Sequence, residues 1–143
     1  MDGTITYADE GVINTASLAE WRLDTNNRLQ IRLDTDAGTG QFEFIQIGGG
    51  VVDAVASSGD IIAPDVFVPF NISSRHGTTF LNGAVDGTAL TADLTPTSLP
   101  DLSATDFRIT PKFNGNVGKL VVWSDDIGDV GIAEATTWVI HLQ

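Results

Sequence analysis

The sequence predicts an all-β protein, an antiparallel β-sandwich with at most one short helix near residues 129–135. Two observations carry this. Short runs alternate between apolar and polar residues along most of the chain, and the breaks between them are rich in Gly, Asn and Asp, so the pattern has period two with almost no sustained helical period. About ten such runs at regular spacing point to two antiparallel sheets packed face to face.

In chain order, residues 3–8 alternate with Ile5 and Tyr7 on one side. After a polar break, residues 17–23 supply Leu18, Trp21 and Leu23, and the dense turn formers at 24–27 make a hairpin to residues 28–33, where Leu29, Ile31 and Leu33 face inward. Residues 41–47 follow, with aromatic and β-branched side chains that favour a pleated surface. Gly48-Gly49-Gly50 breaks that strand before residues 51–55. Residues 66–72 form the next strand, where Pro69 marks an edge or a bulge because it cannot donate to a ladder, and residues 73–77 read as a turn.

Asn82-Gly83 is the dipeptide favoured in type I′ turns, so a tight hairpin is expected there. Residues 88–94 form a weak strand and residues 95–102, with Pro96 and Pro100, a loop. Residues 107–124 are expected to be a hairpin through Pro111 and Asn114-Gly115, whose second arm, residues 117–123, is a core strand. Asp129 is placed to cap the short helix, and residues 137–142 alternate once more.

Composition narrows the functions. The 143 residues fit one domain, 1–143, with a core of useful size. A net charge of −12 repels a phosphate backbone and an anionic lipid surface, so neither nucleic acid nor membrane is an expected partner. Cysteine is absent, which removes disulfides and thiolate chemistry. The acidic amino-terminal stretch does not read as a signal peptide, and no apolar run is long enough to span a bilayer.

The runs His-Gly-Thr-Thr-Phe-Leu-Asn-Gly (76–83), Phe-Asn-Gly-Asn-Val-Gly-Lys-Leu-Val-Val-Trp-Ser (113–124) and Ile-Gly-Asp-Val-Gly-Ile (127–132) resemble the concanavalin A-like lectin/glucanase superfamily, in its laminin-G-like branch of bacterial and tailed-phage surface proteins. The resemblance covers the C-terminal half. It implies a jelly roll and a role in adhesion or assembly, and a free-standing module of this kind is expected as a bacteriophage virion surface protein, a capsid decoration, cement or fibre subunit made in the host cytoplasm. The expected partners are the major capsid protein or fibre subunits and further copies of itself, a trimer being favoured. A glycan-binding module for host attachment is the alternative, with a cell-surface glycan as partner.

Hydrolase chemistry is the remote alternative. Retaining glycosidases need two carboxyl groups about 5 to 5.5 Å apart, and the nearest match, Glu20-x-Arg22-x-Asp24, has an arginine in its middle and reads as an ion-paired strand face. For glycan binding the candidates are Trp21, Tyr7 and His76, since sugar sites use aromatic rings with polar neighbours. Burial is nonetheless the favoured reading of Trp21, Trp123 and Trp138. Asp34-x-Asp36-x-Gly38 has the oxygen-rich look of a cation loop, and family members often hold calcium; without a further acid and a closing glutamate, the default for Asp34 and Asp36 is a solvated loop. The acidic turn around Asp125, Asp126 and Asp129 reads the same way.

Overall fold

A computed structural model describes residues 1–7, 15–34, 40–56, 65–111 and 113–137. They form an all-β sandwich of two antiparallel five-stranded sheets and one short helix. The strands are β1 (Asp2–Tyr7), β2 (Thr15–Asp24), β3 (Asn27–Asp34), β4 (Gln41–Gly48), β5 (Val51–Ala56), β6 (Asp65–His76), β7 (Leu81–Val85), β8 (Thr88–Ala89), β9 (Phe107–Ile109) and β10 (Gly115–Lys119), followed by α1 (Gly128–Ala135). The first sheet has the order β10-β1-β6-β7-β8, the second β5-β4-β3-β2-β9.

The alternation read from the sequence is what builds the core. Ile5, Phe70, Ile72 and Val85 from the first sheet meet Leu18, Leu33, Phe42 and Phe44 from the second, and the rings of Phe42 and Phe70 lie 5.8 Å apart. Gln46 sits on the same inner face and is fully buried, but its Nε2 donates to the carbonyls of Gly77 and Ser98 at 3.0 and 2.9 Å. A polar core residue thereby ties two loops to the second sheet. Helix α1 lies on the outer face of the first sheet, where it meets β6, β7 and β8 and buries Ile132.

Several expectations are corrected. Asn82 and Gly83 lie inside β7, both buried, and the hairpin turn falls at Asp86-Gly87, whose φ angles are 46° and 83°. Gly83 is needed for packing: a Cβ there would sit 2.0 Å from Phe44 Cδ2. Residues 73–76, expected as a turn, prolong β6, because they pair with β7 from Ser73↔Ala84 to His76↔Leu81. Residues 107–124 are no hairpin: β9 pairs with β2 in one sheet and β10 with β1 in the other, so the chain crosses between sheets. β10 ends at Lys119, and residues 120–123, read as core, are exposed.

Two finer points also differ. Asp129 does not cap α1; the cap position is Ile127, without a side-chain bond, and Asp129 lies in the first turn. Pro69 itself pairs regularly with Thr4 in an interior strand, and the irregularity expected with it falls just before, where the β1–β6 register shifts between Ile5 and Tyr7 and Phe67 has φ 57°; β7 has also ended by that level, the last bond being from the Asp86 N–H to the Asn71 carbonyl. Alternation from Ile72, which faces β1, turns the Pro69 nitrogen toward that open side, so no ladder bond is lost. The alternating segment 137–142 lies outside the described residues beyond Thr137.

Candidate functional site

The register of β1 creates the site. β1 runs between β10 and β6, and its pairing stops at the amino-terminal end: Met1 exchanges two backbone hydrogen bonds with Ile72, both 2.8 Å, and Asp2 lies opposite Lys119. Beyond that point both neighbours continue, β6 through residues 73–76 and the other wall through residues 120–127. A cleft of about 330 Å³ lies beside residues 73–76 of β6. It is lined on the inner face by Trp21, Ser74, His76 and Phe107, and on the other wall by Trp123 and the acidic turn at Asp125 and Asp126.

Each side chain has a positional reason to be there. Trp21 pairs with Leu29 in β2–β3 on the inner face, the same register row as Gln46. Its Nε1 donates to the Thr105 carbonyl at 2.9 Å, and its ring meets Phe107 edge-on at 6.5 Å. His76 faces it from the end of β6. His76 Nε2 lies 3.2 Å from Ser74 Oγ, while Nδ1 is buried without a hydrogen-bond partner among the described residues. Burial pushes its pKa down to about 4, so the ring is neutral at pH 7. Ser73, on the opposite face of β6, is 5% exposed and its Oγ is likewise unpartnered.

The outer rim is ionic. Arg75 donates from Nε and Nη2 to both carboxylate oxygens of Asp126, each at 2.6 Å, and from Nη1 to Asp129. Its guanidinium stacks 4.3 Å from the centre of the Phe80 ring. The paired Arg75 charge, followed by the Gly128 N–H, holds the Asp126 carboxyl below the usual range. At the inner end, burial lowers the pKa of the Met1 amino group.

Comparison with protein-family models, curated proteins and solved structures finds no match. The resemblance therefore stays a resemblance carried by residues 76–83 and 113–132.

Of the sequence candidates, Trp21 and His76 come together in the cleft. Tyr7 does not: it lies at the end of β1 remote from Met1, opposite Asp65, about 20 Å along the strand. Asp34 ends β3, paired with Thr15 and Gln41, and Asp36 lies outside the described residues. Among the described residues no group of three or more metal-ligating side chains gathers. The Glu20 strand is ion-paired as expected, with Glu20 6% exposed and bound by Arg108 Nε at 2.9 Å, while Asp24 accepts from the Asn26 N–H at 2.7 Å.

Trp123 is the residue sequence reasoning misplaced, being 42% exposed. A signal was present in the run 120–123: four consecutive apolar residues without alternation do not fit a half-buried strand. Arg75 and Phe80 gave no such signal, since only the tertiary fold joins them to residues 126–129.

Proposed function

We propose that this chain is a non-enzymatic assembly module, a structural surface subunit of the kind that decorates a tailed-phage capsid or builds its fibres, and that its cleft face is where copies or partner proteins meet. One observation carries the reading. Leu120, Val121, Val122 and Trp123 are exposed by 41, 37, 65 and 42% as an unbroken apolar run on the cleft wall. A contiguous apolar patch on an otherwise strongly acidic chain favours protein–protein contact. Glu20 and Asp24, the nearest thing to a catalytic pair, are occupied by Arg108 and by a turn, which supports a non-catalytic role. Light scattering across a concentration series tests the proposal: a stable oligomer is expected, and a monomer that never copurifies with particles would overturn it.

A second reading, glycan binding, is favoured by a separate observation. The exposed ring of Trp123 and the part-buried ring of Trp21 border one cleft together with Ser74 and His76, and stacking rings beside polar groups suit a pyranose. Glycan arrays with and without calcium test it, and silence at high protein concentration would discard it.

A further inference from the structure

The outer face of the second sheet collects the positive charge of this acidic chain. Side chains alternate along a strand, so Arg22 of β2 and Arg28 and Arg32 of β3 point outward between the inward Trp21, Leu29 and Leu33, and Arg108 of β9 joins them opposite Glu20. Four of the seven basic residues of the chain therefore stand on one face. Among the described residues the same strands bring three carboxylates to it, Glu20, Asp34 and Glu43, although the chain carries nineteen acids.

The carboxylates do not suffice for the arginines. Arg32 binds Glu43, Arg108 binds Glu20, and Arg22 reaches that same Glu20 only at 4.0 Å. Arg28 makes no ion pair among the described residues; it donates to the Thr25 carbonyl and stands directly opposite Arg22 in the ladder. Like charges facing each other across a ladder cost stability. Burial, then the charges of Arg22 and Arg32, hold the Arg28 pKa below its ordinary value. A carboxylate arriving from outside relieves that crowding.

The cleft wall offers the complement. Asp125 is exposed, and among the described residues its carboxylate accepts only from the Ser124 hydroxyl, at 3.2 Å. Asp126 and Asp129 share the single charge of Arg75, so the turn keeps an excess of negative charge beside Leu120–Trp123. On the arginine face, Val52 is 59% exposed and continues the ladder row of Arg28 through Ile47. Each surface thus joins an apolar patch to charge, and the charges are of opposite sign. A guanidinium also stacks well on an indole such as Trp123.

We infer that the arginine face of one copy receives the acidic turn and the Leu120–Trp123 run of a second copy. The inference rests on the assembly reading above and names the surface that the apolar run meets. The contact joins two different patches, so it is heterologous and propagates into a ring or a filament.

Two full-length variants test it, Arg22→Glu/Arg28→Glu on one surface and Trp123→Ala/Asp125→Arg on the other. Each alone should weaken self-association in sedimentation velocity by about tenfold or more. An equimolar mixture should recover association, because each variant keeps the patch that the other has lost. Arg22→Gln/Arg28→Gln removes the charge without adding acid and serves in the same assay if the glutamates prevent folding. The inference is overturned if the arginine variants associate undiminished, an outcome that leaves the assembly reading standing, or if the mixture stays monomeric. It is overturned as well if dextran sulfate binds through these arginines while self-association ignores them, since the face then belongs to an anionic glycan. A parent chain that is monomeric at every concentration overturns both.

Discussion

Arg75 and Asp126 form a two-pronged ion pair, Nε to Oδ1 and Nη2 to Oδ2, each at 2.6 Å, that fastens the turn before α1 to the end of β6. The Arg75 side chain is 13% exposed and also stacks on Phe80, so the fork is held in place before it binds. Arg75→Ala should cost about 1–3 kcal/mol by urea denaturation. Arg75→Lys should recover less than half of that loss, because an ammonium cannot reproduce the planar fork.

Stability should fall with acid through His76. Its folded pKa, about 4, lies below the ordinary value of 6.5, so the unfolded chain binds the proton first. The neutral ring's contribution is complete above pH 6.5, is lost progressively as pH falls toward 4, and changes no further below that. The full shift corresponds to about 3 kcal/mol, and partial exposure of the residue reduces it. Unfolding measured between pH 7 and 4 should show a shallower decline for His76→Gln than for the parent chain.

Gly83→Ala should be among the most damaging single substitutions. The added methyl would lie 2.0 Å from Phe44 Cδ2, and Phe44 is fully buried in the centre of the core. Overpacking of this kind costs about 3 kcal/mol, and thermal unfolding should register it.

Trp123→Ala should behave in the opposite way. A ring 42% exposed at the rim of a cleft contributes less to folding than a core ring, about 1 kcal/mol, so the unfolding midpoint should move little. Association measured by light scattering should weaken markedly, because the aromatic member of the exposed apolar run is gone.

The parts of this fold legible in the sequence are those decided by neighbours in the chain. Residues 28–33 alternate because one face of β3 is core, and the turn at 24–27 follows from Asp24 accepting the Asn26 N–H. Asn82-Gly83 shows the limit of local reading. The dipeptide suits a turn, but Asn82 Nδ2 donates to Asp129 at 2.7 Å and Gly83 makes room for Phe44, both consequences of tertiary packing. The same applies to the cleft. Trp21 and His76 could be named as candidates, but their meeting depends on how β2 of one sheet and β6 of the other pack across the sandwich.

The pairing of Thr4 with Asn116 has a consequence in time. β1 precedes the other described strands, yet its two ladder partners are β6, whose first residue is Asp65, and β10, which closes only when Lys119 has been made. The first strand must wait for almost the whole chain before it can be sheltered on both sides, and loops of that length make strand pairing slow. Folding is therefore expected to start in the local hairpins of β2, β3, β4 and β5, with the first sheet sealed last. Premature truncation upstream of β10 would leave β1 with an open edge and the newborn chain prone to aggregate.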